Sequence, residues 1–260
     1  MRRLGQPLRD RYLAEDLAHD KRWLEVLNGN LYRYDYFGFG SLTPRYYPHR
    51  LAEDIRRMRD IGVQGVLAED TTVWTMVGPS YYVASTLWWN TERDVDKLIN
   101  EFHATLFGPA AAPMARYWDR HEKVWLEKRP GKWFEGLADM VYEARMYSTE
   151  DLDSLDRKFV EAYELAGSDM LIRERIRFFE GGWKLAEHYI REYHLFEQMQ
   201  AAKAPEPTAD AARQLLEVIH ARRAYWAKYR QEPRFPGQER GPCDCLLYTS
   251  DAADATPCVD

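Results

Sequence analysis

The chain has 260 residues, 45% of them hydrophobic, which is enough to build the core of one large domain or two small ones. Its 36 Lys and Arg against 42 Asp and Glu give a net charge of −6, with the basic residues scattered. That balance excludes a general nucleic-acid binder, which needs a basic field to displace counterions from phosphates. No run approaches the roughly 18 apolar residues of a membrane span.

Aromatic side chains are abundant, with 17 Tyr and 9 Trp. They serve either to stack flat apolar ligands such as sugar rings or, more commonly, to fill a core. The opening MRRLGQPLRDRYLAEDLAHD lacks the apolar stretch of a signal peptide. Localisation is therefore open, and an export reading depends on a leader encoded upstream.

In chain order, Tyr12 to Leu27 has apolar residues at helical spacing and is closed by Asn28-Gly29-Asn30. Leu31 to Phe37 alternates as a strand, with Tyr32, Tyr34 and Tyr36 on one face and Arg33 and Asp35 on the other. Either face can turn inward. Leu51, Ile55, Met58 and Ile61 mark a helix that Gly62 can end in the left-handed conformation, and Val63 to Ala68 is a short buried strand leading to Glu69-Asp70. Strand, crossover helix and strand predict a right-handed parallel unit.

After residue 80 the pattern is helical. Tyr82 to Trp89 is an apolar helix, and Thr91 with Asp94 is read as a capping box for a helix carrying Val95, Leu98, Ile99, Phe102 and Leu106, ended by Gly108 and Pro109. Met114, Tyr117, Trp118, His121, Val124 and Trp125 form the next stripe. Ser148 with Asp151 starts a helix that Gly167 stops, and Ser168 opens a long one through Gln200, with a break or kink expected at Gly181-Gly182. AAKAPEPTAD reads as a linker, and Thr208 as the cap of a last helix ending near Arg230.

The segment YYVASTLWWNTERDVDKLINEFHATLFGPAAAPMARYWD carries a Tyr-x-x-Ala-x-x-Leu-Trp-x-Asn helix end, an Asp-Val-Asp-x-Leu-Ile-x-x-Phe helix and a Phe-Gly-Pro-Ala-Ala-x-x-Met-x-x-Tyr turn. This order of motifs resembles the bacterial domain of unknown function 4838. The likeness takes in YRYDYFGFG and IRRMRDIGVQGVLAED upstream and extends more loosely to about Tyr193. The resemblance implies a glycoside-hydrolase-like (β/α) barrel related to the α-glucuronidases of xylan breakdown, of which only the last two strands are present. The expected fold class is α/β followed by all-α. Residues 1–108 would be the C-terminal part of a barrel, and 109–242 a helical domain through which the chain could form oligomers.

The ten residues from Cys245 to Asp254 resemble the translation of a transposon-end sequencing adaptor, so 243–260 is expected to be an artefactual tail without fold. With Cys245 and Cys258 in that tail, Cys243 is left alone and a disulfide framework is excluded.

Glycoside hydrolysis needs two carboxyl groups about 5 to 5.5 Å apart for retention, or about 6.5 to 9.5 Å for inversion. Parallel strands lie about 4.8 Å apart, so strand-end carboxylates on neighbours can meet this. Asp35 and Glu69 are the candidate catalytic pair, using water and no cofactor. Arg33, Tyr36, Asp70 and Trp74 are candidate substrate-binding residues: a guanidinium for a uronic carboxylate and aromatic faces for sugar rings. The competing account of Asp35 and Glu69 is that they cap loop amides.

Trp88 and Trp89 are further stacking candidates for sugar faces, but at a helix end the core reading is preferred for both. Asn90 is read as a turn residue, and His103, His121 and His188 as helix histidines without metal spacing. The expected substrate is a carbohydrate, with uronic-acid polysaccharide preferred. The rival functions are a non-catalytic helical scaffold or dimerisation module, which would bury its aromatics between helices, and a protein-interaction module, which would expose an apolar groove.

Overall fold

The computed structural model describes residues 6–35, 43–68, 74–128, 143–201 and 209–229. Helix α1 (Gln6–Val26) ends in a turn where Asn28 and Gly29 take positive φ, of 49° and 80°. Strand β1 (Tyr32–Asp35) follows, and then α2 (Pro48–Ile61), which begins on a proline. Proline suits the first helical position, because its missing N–H would have had no partner there.

Leu51, Ala52, Ile55 and Met58 form the buried face of α2. Gly62 closes the helix at φ 97°, its N–H bonding Arg59 O at 2.9 Å, and this left-handed turn feeds β2 (Gly65–Ala68). The two strands pair parallel, Tyr32 beside Gly65 and Asp35 beside Ala68.

The rest of the described chain is helical: α3 (Trp74–Trp89), α4 (Val95–Phe107), a 3₁₀ turn (Gly108–Ala110), α5 (Ala111–Lys128), α6 (Thr149–Ala166), α7 (Met170–Ala201) and α8 (Ala209–Tyr229). α2 packs on α3, α3 on α4 and α7, α4 on α5, α5 on α6, α6 on α7, and α7 on α8. One hydrophobic cluster runs through all of them, from Tyr46 to Tyr229. Its largest fully buried side chains include Trp118, Trp183, Tyr46, Tyr117, Phe107 and Phe159. Burying one such ring contributes about 2 to 3 kcal/mol, so these helix–helix contacts dominate the stability.

This architecture overturns the expectation of an α/β barrel end. Among the described residues the only sheet is the two-stranded one, and the core lies between helices. The strand–helix–strand signal was local, and a parallel pair with a crossover helix forms as readily against a helical body as within a barrel. Nor do the tyrosines of β1 pack under helices. Tyr32 and Tyr34 are 69% and 51% exposed, while Val66 and Ala68 on the opposite face pack against the core.

Local departures have simple causes. α3 begins eight residues before Tyr82 and runs through Gly78-Pro79, a pair that reads as a breaker. Its first turns are buried, and Arg45 in the loop before α2 donates its N–H to Met76 O at 3.1 Å. At α4 the capping residue is Asp94, which accepts from Lys97 N at 3.0 Å, whereas the Thr91 hydroxyl accepts from Arg59.

The Ser148–Asp151 capping box forms, and Gly167 ends α6 at φ 53°. α7 starts on Asp169, whose carboxylate accepts from Leu171 N and Ile172 N at 3.0 and 3.1 Å, rather than on Ser168. α7 continues unbroken through Gly181-Gly182. Thr208 and the tail 243–260 lie outside the described residues. No helix among the described residues is long and apolar enough to cross a membrane.

Candidate functional site

The strand ends carry the residues singled out by sequence. Asp35 is the last residue of β1 and stands in register with Ala68, the last of β2. Glu69, Asp70 and Tyr36 lie outside the described residues.

Arg33 shares the half-buried face of β1 with Asp35, yet its guanidinium is held by Asp20 of α1, with Nη1 at 2.6 and 2.7 Å from the two carboxylate oxygens. Asp35 adds to the field that keeps Arg33 charged. It also raises the carboxyl of Asp54 on α2, which is pushed up first by burial. The Asp35 face thus looks toward α1 and α2.

Trp74 is the first residue of α3 instead of a loop residue. It is 46% exposed, and its ring tilts against Tyr81 with centroids 5.6 Å apart. Trp88 packs partly buried against the core, whereas Trp89 is 93% exposed. Asn90 is a turn residue, its Oδ1 accepting from Glu92 N at 3.0 Å.

A denser set of polar groups, missed in the sequence, is buried where the loop before α2 meets α5 and the segment entering α6. Arg45 Nη2 lies 2.7 Å from Glu143 Oε1, and Arg45 Nε donates to the same oxygen at 2.9 Å. Thr43 Oγ1 donates to Glu143 Oε2 at 3.2 Å. The Arg45 guanidinium also lies 5.6 Å from the Trp125 ring centroid, a cation–π distance.

Next to it, Tyr147 Oη and His121 Nδ1 are 2.8 Å apart. Burial, reinforced by Glu143 and Asp151, pushes the Tyr147 phenol well above its usual range. Burial also pulls His121 down to about 3. A general base works best with a pKa near the operating pH, so His121 is neutral at pH 7 and poorly placed to take a proton. An ion pair joining residues 98 positions apart has no local sequence signature. The only hint was a lone charge, Arg45, in the stretch Leu42-Thr43-Pro44-Arg45-Tyr46-Tyr47.

His49, in the first turn of α2, bridges three helices. Its Nδ1 lies 2.8 Å from Glu122 Oε2 on α5, and its Nε2 lies 3.1 Å from Asp96 Oδ1 on α4. Burial opposes the charge on this imidazole, but the bond to Asp96 and the charge of Glu122 prevail and raise its pKa. Glu122 itself is raised by burial, with Asp119 adding to the rise. Among the described residues no group of three or more His, Cys, Asp or Glu is placed to hold a metal ion. His103 is buried between Phe102 and Phe107, and His188 is half-buried beside Tyr225.

No curated protein and no solved structure matches the chain. The stretch from α1 into α5 does have a counterpart: residues 2–119 match the family described as Domain of unknown function (DUF4838).

Proposed function

We propose that this chain acts as a helical scaffold that holds partners in place, without chemistry of its own. The observation that supports this reading is where the aromatic and ionisable side chains go. Trp118, Trp183, Tyr117 and Phe159 are buried between helices. Two charge pairs with a buried arginine, Arg45 with Glu143 and Arg222 with Glu192, tie separate segments together. A sugar-cleaving site instead needs aromatics and two carboxyl groups converging on an open cleft.

A second reading rests on the register of the sheet. Asp35 ends β1 opposite Ala68, the residue that precedes Glu69 in the sequence, and this supports cleavage of a carbohydrate, uronic or neutral, with water and no cofactor.

One experiment separates the two. The chain and its Asp35→Asn and Glu69→Gln variants are assayed on a panel of aryl glycosides and on glucuronoxylan, while sedimentation velocity follows self-association. A scaffold gives no turnover above a heat-denatured control. Turnover that drops by about 100-fold or more in either variant, the usual cost of losing a general acid or base, overturns the scaffold in favour of hydrolysis.

A further inference from the structure

Helices α7 and α8 pack closely, but along part of their contact the seam is neither apolar nor closed. There a cleft of about 270 Å³ is lined by Arg177, Glu180, Gly181 and Lys184 of α7 and by Tyr225, Lys228 and Tyr229 of α8. The spacing 177, 180, 181, 184 is one face of a helix, and so is 225, 228, 229. Both helices therefore turn these residues toward each other, where a two-helix seam ordinarily places leucine and alanine.

The cleft is layered. Gly181 and Tyr229 are buried at its floor, Lys184, Glu180 and Tyr225 are half-buried along its walls, and Arg177 and Lys228 stand exposed at its rim. Several groups are fixed. Tyr225 Oη donates to Gly181 O at 3.1 Å, and Tyr225 and Tyr229 stack with ring centroids 6.1 Å apart and planes 20° apart. Tyr229 Oη lies 3.4 Å from Thr75 Oγ1 of α3, anchoring the floor. Glu180, the only acid in the lining, accepts from Tyr163 Oη at 2.7 Å on its outer side.

The lining carries three cations and one carboxylate, with the two exposed cations, Arg177 and Lys228, at the rim. Lys184 is shared with Asp156 and Glu187, at 2.7 and 2.8 Å. Lys228 has no ion-pair partner among the described residues. Small-molecule sites typically span about 300 to 1,000 Å³, mostly apolar with a few placed polar groups. At about 270 Å³ this cleft falls just below that range.

We propose that the α7–α8 cleft binds a small organic anion, with its acidic group held by Lys228 and the cationic rim and its ring lying against Tyr225 and Tyr229. Phosphate and carboxylate heads share this chemistry, and a probe of each separates them.

Isothermal titration of the whole chain with phenyl phosphate and with benzoate, using benzyl alcohol as the uncharged control, tests the site. The expected result is saturable one-to-one binding of at least one anion and none of the alcohol, with Lys228→Glu weakening the affinity at least tenfold. Lys228 is exposed on α8, so its substitution should leave thermal melting unchanged, and the melting curve verifies that the variant is folded. Tyr225→Leu, which removes the ring but keeps apolar bulk, should weaken the anion without abolishing it. Binding unaffected by Lys228→Glu, equal uptake of benzyl alcohol, or no binding of either anion at millimolar concentration would each overturn the proposal. None of these outcomes bears on glycoside turnover, so the site stands or falls separately from the scaffold reading.

Discussion

Gly182 of α7 lies so close to Thr75 of α3 that a Cβ added to the glycine would sit 2.5 Å from Thr75 Cβ and closer still to Thr75 Oγ1. Glycine is used here for approach and not for a kink. Without a side chain at this point, α3 and α7 can meet backbone to side chain, which buries Met76 and Val77 on one helix and Phe179 and Trp183 on the other.

Gly182→Ala should therefore destabilise the fold, although alanine has the better helix propensity. The propensity gain is about 1 kcal/mol at most, while forcing one extra carbon into a full interface costs about 1 to 3 kcal/mol. Gly167→Ala, where an added Cβ meets nothing within 4 Å but φ is 53°, should be destabilising for a different reason, backbone strain alone. Thermal melting of the two variants, with Thr75→Gly added to each, distinguishes the causes: opening space at residue 75 should help Gly182→Ala and leave Gly167→Ala unchanged.

Arg45 and Glu143 are both buried, and the loop before α2 depends on their pairing to stay against α3 and α5. Replacing one partner strands the other charge away from water, which costs about 3 to 5 kcal/mol. Glu143→Gln and Arg45→Met should each lower the denaturation midpoint by a corresponding amount. Combining Arg45→Met with Glu143→Leu should recover much of the loss, because no unpaired charge remains. Strictly additive losses in the double variant would show that the two side chains act independently and that the pair does not fix the loop.

The local grammar of the chain was readable where one or two neighbouring residues decide the outcome. Gly62 and Gly167 end helices through positive φ, and Ser148 with Asp151 closes a capping box, all within a few residues of sequence. The parallel pairing of β1 and β2 followed from the short crossover helix. Misreadings came where tertiary contact outweighs local preference. Gly181-Gly182 reads as a break but sits inside α7, and the helix read from Tyr82 starts at Trp74, because α3 and α7 need close approach and buried surface there. The barrel expectation failed for the same reason: a two-strand unit does not reveal what packs on it. As for the candidate site, Asp35 stands on its expected strand whereas Trp74 opens α3 rather than lying in a loop, and the Arg45–Glu143 tie and the α7–α8 cleft join residues tens of positions apart and leave no periodic trace.

His103 gives the fold a specific acid sensitivity. It is buried between Phe102 and Phe107, neither ring nitrogen has a partner among the described residues, and burial lowers its pKa to about 4. In the unfolded chain the same imidazole titrates near 6.5. The folded pKa is thus depressed, so the stability linked to His103 is complete above about pH 6.5 and declines as pH falls toward 4. His121, lowered by burial to about 3, adds a decline of the same sign.

One unit of pH within that window is worth about 1.4 kcal/mol per group, so by pH 5 the two histidines should together cost several kcal/mol. His103→Met keeps apolar bulk between the phenylalanine rings and removes the titration. Its stability relative to the parent chain should therefore rise as pH is lowered from 7.5 to 5, when both proteins are unfolded in urea across that range. A difference that stays constant with pH would mean that His103 is not buried in its neutral form, and the packing of α4 would then have to differ from the arrangement described.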